Sequence, residues 1–141
     1  MSYEFVDDIT IADTAFKVEA KSLEELFVDG AKATFESMVD LKAVKHKETR
    51  DLKLEADSAE QLFFDWIEEL IYLKDADYLL FSKFKVLIKQ NKKWSLEATA
   101  YGDKINVDKQ SMKVDVKAIT YHKFKVEQRD GKWQAFVVLD I

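Results

Sequence analysis

A chain of 141 residues with 22 Lys and Arg against 27 Asp and Glu carries a net charge of −5, and it is long enough to bury the core of a single domain spanning residues 1–141. The acidic balance argues against a free-standing nucleic-acid binder that relies on phosphate neutralisation, and against direct sequence-specific nucleic-acid binding. With no cysteine, no basic and apolar leader in Met1-Ser2-Tyr3-Glu4-Phe5 and no run near the ~18 apolar residues of a membrane span, disulfide scaffolds and cysteine-zinc sites are excluded and a soluble cytoplasmic protein is expected, with no membrane partner.

In chain order, Asp7-Asp8 comes first, a pair that fits either a hard-cation site or an edge strand kept soluble by charge. Asp13 follows within Ile11-Ala12-Asp13-Thr14-Ala15-Phe16, where apolar neighbours carry the chain toward the core. A partly buried carboxylate there needs a donor, a lysine or a metal, although a turn-forming Asp is the commoner case. Shifting the chain by 36 residues aligns Glu19–Asp29 with Glu55–Asp65, identical at seven of eleven positions. Each copy predicts a short strand (Phe16–Ala20, Leu52–Ala56), a Ser cap with Glu25 or Gln61 three residues on, and an amphipathic helix. The first helix runs to about Val39, with Gly30 allowing a close approach at its middle. The second buries Leu62, Phe63, Trp66, Ile67, Leu70, Ile71 and Leu73 and leaves Glu60, Glu68 and Glu69 for the other side.

Beyond Asp77 the period changes to two. Strands are predicted at Lys83–Lys89, Trp94–Ala100 (closed off by Gly102-Asp103), Val114–Thr120, His122–Glu127 and Trp133–Ile141. A turn at Gln90–Lys92 and a loop at Asn106–Gln110 separate them. Asp130-Gly131 between alternating runs makes the last two strands an antiparallel hairpin. The last strand carries Asp140 and the α-carboxylate of Ile141 to one fixed place at a sheet tip. These elements predict an α+β domain, two helices packed on one face of one or two mostly antiparallel sheets.

The chain has no phosphate-cradling glycine loop, no nucleophile elbow and no HExxH helix. His46 reads as an exposed polar residue, and His122 opens a strand without a metal-type partner at i+3 or i+4. The pairs Glu24-Glu25, Glu68-Glu69 and Asp75/Asp77 read as solvated helix faces and turns. Lys117, within Val116-Lys117-Ala118-Ile119, reads on its own as the outward member of a half-buried strand.

Four segments in order, 11–16, 21–26, Phe64–Tyr72 and Val116–His122, with the ending Val137-Val138-Leu139-Asp140-Ile141, resemble the archease family over nearly the whole chain. The resemblance implies a duplicated strand-helix-strand-strand (SHS2-type) fold and a non-enzymatic role: activation of an RtcB-type RNA ligase that joins tRNA halves by a GTP- and Mn²⁺-dependent route. It further implies function at Asp13, Lys117, Asp140 and Ile141, with His122 grouped beside Lys117 on the partner-facing side. A divalent cation, Ca²⁺ foremost with Mg²⁺ or Mn²⁺ as alternatives, is then held by both Asp side chains and the backbone oxygens of Ile141. One departure stands out, because the family pattern places Glu-His-Thr before its Ala-Asp where this chain has Asp8-Ile9-Thr10-Ile11. Two rival readings are a small-ligand-binding domain, which predicts an open apolar cleft, and a metal-dependent hydrolase using the same carboxylates.

Overall fold

The computed structural model describes residues 3–6 and 13–141; Asp7, Asp8 and the departing segment 8–11 lie outside the described residues. The elements are β1 (Tyr3–Val6), β2 (Asp13–Ala20), α1 (Leu23–Glu36), a 3₁₀ turn (Leu41–Ala43), β3 (Glu48–Ala56), α2 (Ala59–Asp77), β4 (Leu79–Gln90), β5 (Trp94–Lys104), β6 (Ala118–Arg129) and β7 (Lys132–Asp140). They make two antiparallel sheets, ordered β1-β2-β7-β6 and β3-β5-β4. The α+β class read from the sequence is therefore the observed one.

The repeat becomes a topology. In each sheet the strand before a helix pairs with the last strand of its unit, and the strand following the helix pairs on the far side of that one, giving β2-β7-β6 and β3-β5-β4. The unit β3-α2-β4-β5 is continuous in the chain. Its counterpart β2-α1-β6-β7 is split after α1, and the whole of the continuous unit lies inside the split. The duplication is nested rather than tandem.

Both helices start where the caps predict. Ser22 Oγ accepts from Glu25 N–H at 3.1 Å and Ser58 Oγ from Gln61 N–H at 3.0 Å, each satisfying an amide that a helix leaves without an internal partner. The Gln61 amide nitrogen donates forward to Asp65 and Tyr121. α1 ends at Glu36, earlier than its apolar pattern: Ser37 N–H still makes a helical bond to the Ala33 carbonyl, and Met38 N–H then bonds the Phe35 carbonyl in a tighter turn. α2 ends at Tyr78 in the left-handed conformation (φ 54°, ψ 49°).

The two helices pack on the two antiparallel sheets as predicted, and each touches both of them. α1 lies against β2, β7 and β4, and α2 against β6, β3, β4 and β5. This double contact explains why burial wraps so far around them. The fully buried Trp66 donates its indole N–H to the Phe27 carbonyl at 3.0 Å, joining α2 to α1. Phe63 stands edge-on to Phe27, centroids 5.2 Å apart. A Cβ at Gly30 would come within 2.6 Å of the Phe63 ring, so Gly30 is the close approach predicted at the middle of α1. Each phenylalanine buried this way contributes about 1.5–3 kcal/mol.

Three strand boundaries differ from the sequence reading. β5 continues through Gly102 to Lys104 because β4 bulges at Ser82, between Phe81 and Lys83, and a Cβ at Gly102 would collide with the Leu80 carbonyl oxygen; the glycine serves the strand rather than ending it. Residues 114–117 are not a strand. Lys113 and Val114 N–H groups donate to the Met38 and Ser37 carbonyls beyond α1, while Val116 is buried in the core. Finally, Ala118–Arg129 is one strand, with an irregularity between Thr120 and Lys125 that leaves three extra residues on β6 and puts Lys123 at φ 55°. The 129–132 hairpin is as predicted, with Asp130 and Gly131 at φ 54° and 77°.

Candidate functional site

The sheet β1-β2-β7-β6 brings the start of β2, the end of β7 and the start of β6 to one tip. Asp13 opens β2 and stands directly opposite Asp140 of β7, and Asp140 in turn stands opposite Ala118 of β6. Lys117, immediately before β6, donates its N–H to the Asp140 carbonyl at 2.8 Å, and its side chain is exposed. Three segments remote in sequence therefore meet at neighbouring strand positions, each step about 4.8 Å, bringing Asp13, Asp140 and the backbone of Lys117 to one tip. Ile141 follows, half-buried against the helix-packed core, which fixes its backbone.

Strand alternation puts Asp13 and Asp140 on the face that also carries Ala15, Val138 and Thr120. Ala15 and Val138 are buried there, apart from the helix-packed cluster. The acidic pair thus borders a dry patch, where an ionic contact is screened less than on an open strand.

Lys74 holds the third segment in place, and sequence reasoning missed it. Its ammonium is buried and sits 2.7 Å from both Asp75 and Asp115 carboxylates and 2.8 Å from the Val116 carbonyl. A buried ammonium requires such partners. The result is that the approach to Lys117 is tied to the end of α2. The signal was present: Lys74 falls four residues after Leu70 and three after Ile71, on the apolar stripe of the helix.

His122 is exposed and lies inside the β6 irregularity, beyond Thr120 from the tip. Its neighbour Tyr121 stacks on Phe64 with centroids 3.8 Å apart. The structure brings Asp13, Asp140, Ile141 and Lys117 together and sets His122 further along the strand. Among the described residues no group of three or more His, Cys, Asp or Glu converges as a metal cluster. Members of two other acidic pairs have structural partners: Asp77 meets Arg50 at 3.0 Å, Asp75 meets Lys74, and Glu24 accepts from Ile88 N–H. His46 Nε2 shares a 2.9 Å hydrogen bond with Ser82 Oγ.

An open groove of about 560 Å³ runs along the outer face of the same sheet, between Lys17, Glu19, Lys125, Glu127, Gln134 and Phe136. Half of its lining residues are charged, unlike the apolar cleft that a small-ligand domain requires. Within it Lys132, 3.1 Å away, holds the Glu19 carboxyl below its ordinary value, and burial with the nearby Glu36 and Asp29 carboxylates raises Tyr3.

No helix among the described residues is long and apolar enough to cross a membrane. The model of the Archease protein family (MTH1598/TM1083) matches residues 3–141. A protein archease of Methanopyrus kandleri is 38% identical over 131 residues, covering 92% of this chain and 94% of that one. The solution structure of Methanobacterium thermoautotrophicum protein 1598 superposes with a TM-score of 0.86 at 36% identity, over 99% of this chain and 98% of that one. A Thermotoga maritima crystal structure, described as an archease and possible chaperone, shares the fold with a TM-score of 0.63 at 21% identity, over 94% and 93% of the two chains. With the family model and a relative of this identity both spanning nearly the whole chain, the protein belongs to the archease family.

Proposed function

We propose that this protein is a non-enzymatic activator of an RtcB-type RNA ligase in tRNA splicing or RNA repair in the cytoplasm, and that it acts through the acidic tip. The observation that carries the reading is the register: Asp13 and Asp140 oppose each other directly, with Lys117 pinned beside them by the 2.8 Å bond to the Asp140 carbonyl. Like charges directly opposite across a strand pair destabilise it, and a cation between the two carboxylates would offset that cost. Two carboxylates and the backbone oxygens of Ile141 are all hard oxygen donors, which suit Ca²⁺, and also Mg²⁺ or Mn²⁺, with water completing the shell. Such an ion would fix the spacing of the two strand ends. Lys117, exposed beside them, then offers a positive group to a phosphate or carboxylate of the partner.

Activation requires that the tip bind one state of the ligase more tightly than another, namely the state competent for nucleotide and metal. The description of the Thermotoga maritima relative as a possible chaperone fits a role exercised on another protein. The test pairs two measurements. Deleting Asp140 and Ile141 should abolish stimulation of ligation while leaving the fold intact by circular dichroism, and calorimetric Ca²⁺ binding should be lost in Asp13→Ala. Full stimulation by the truncated protein refutes the activator reading, and unchanged Ca²⁺ affinity removes Asp13 from the site. Turnover of a phosphoester by the protein alone would instead support the hydrolase.

A further inference from the structure

The net charge of −5 conceals a segregation. Residues 41–56 and 79–104, which supply the 3₁₀ turn, β3, β4 and β5, hold 11 Lys and Arg against 5 Asp and Glu, a balance of +6. The remainder of the chain holds 11 against 22, a balance of −11. On the outer face of the sheet β3-β5-β4, one corner of this basic region is built around an aromatic ring. Lys83 opposes Tyr101 across β4 and β5, and the ammonium groups of Lys83 and Lys85 lie 5.2 and 5.6 Å from the Tyr101 ring centroid. The His46 ring stands 6.4 Å from the same ring. It is held there by Ser82, whose Oγ is 2.9 Å from His46 Nε2 and donates to the Val44 carbonyl at 3.1 Å. Ser82 is the extra residue of the β4 bulge, and Gly102, next to Tyr101, gives that bulge room. The corner is assembled by a bulge, a glycine and a specific hydrogen bond from three separate stretches of chain.

We propose that this corner binds single-stranded nucleic acid. A base stacks on Tyr101, Lys83 and Lys85 move from the ring to the flanking phosphates, and exposed Lys45 and Lys47, the chain neighbours of His46, extend the basic track. An aromatic platform on a sheet face, bordered by lysines that follow the backbone, is a general solution for holding a flexible strand without reading its sequence. An acidic peptide would engage the lysines and leave the ring idle, so the ring decides in favour of a nucleic acid. The segregation also removes the electrostatic objection, because a phosphate approaching within a Debye length of about 10 Å senses the local positive field rather than the whole chain.

The test uses the chain alone, without a ligase, so its outcome is independent of the acidic tip. Fluorescence anisotropy is followed with a labelled oligouridylate of about twelve nucleotides at about 50 mM salt. Saturable binding that weakens with salt is expected. The double variant Lys83→Gln/Lys85→Gln should lose about tenfold in affinity and flatten the salt slope by about 1.4. Tyr101→Leu should lose about fivefold with the slope unchanged, Tyr101→Phe should retain binding, and the exposed control Lys21→Gln/Lys109→Gln should bind like the parent. Absence of saturable binding overturns the proposal. So does an affinity that Tyr101→Leu leaves unaltered, or displacement by hexaglutamate as readily as by unlabelled oligonucleotide, which would assign the corner to an acidic peptide.

Discussion

The two strand-helix-strand-strand units share a strand order, a serine cap and a bulge in the strand after the helix, yet they are finished differently. The continuous unit has one extra residue, Ser82, in β4 and a lysine-bordered corner around Tyr101. The split unit has three extra residues in β6 and an acidic tip made by β2 and β7. Continuity makes the difference: a unit written in one piece closes on its own neighbours, whereas a split one must bring remote residues to the same edge. Groups with nothing in common in sequence, such as Asp13 and Asp140, meet only in the split unit.

Five substitutions break or sharpen this contrast. The largest effect is expected from Gly102→Ala, where the new Cβ meets backbone that cannot yield; about 3 kcal/mol of stability should be lost in urea unfolding, with the β4 bulge and the His46–Ser82 bond displaced. Lys74→Met tests the tie between the units. Its partners Asp75 and Asp115 keep side chains 58% and 69% exposed and stay hydrated, so the cost is mainly the orphaned Val116 carbonyl, about 1–3 kcal/mol. Amide exchange should then quicken around 115–118 while β4 and β5 remain protected.

Ser22→Ala and Ser58→Ala, at matched positions of the repeat, should each cost about 1 kcal/mol by urea denaturation, and a large inequality would show that the two caps are not equivalent. The smallest effect is electrostatic. Lys132 lowers the folded pKa of Glu19 below its ordinary 4.5, so the pair stabilises the fold above that value and the contribution disappears as pH falls through the folded pKa. Comparing urea midpoints at about pH 6 and about pH 3 should show a slightly smaller acid-induced loss in Lys132→Ala than in the parent.

The parts legible in the sequence were those decided locally. A Ser followed three residues later by Glu or Gln marks a helix start whatever surrounds it, and Asp130-Gly131 supplies the positive φ values that a tight hairpin needs. What escaped was decided by partners distant in the chain. Gly102 read as a strand end because the β4 bulge that requires it is twenty residues away. Residues 114–117 have an apolar alternation suited to a strand, but the carbonyls at the end of α1 and the Lys74 ammonium claim them first. Lys74 drew no reading of its own, although its place on the apolar stripe was visible. At the tip, residue chemistry alone left Asp13 between a turn and a ligand and made Lys117 an ordinary strand residue. Register placed both beside Asp140, and only a resemblance had linked them beforehand. The net charge, summed over the whole chain, does not reveal that residues 41–56 and 79–104 are basic and the remainder acidic.

The nesting also sets an order of assembly. Asp13 and Asp140 are paired although 127 positions separate them, while β3, α2, β4 and β5 can close among themselves as soon as they are made. During synthesis β2 waits, its inner edge unfilled, until β7 has left the ribosome. A chain arrested anywhere before residue 132 can hold the inner unit folded, but it has no acidic tip. Whatever depends on that tip is thereby denied to any chain arrested before β7.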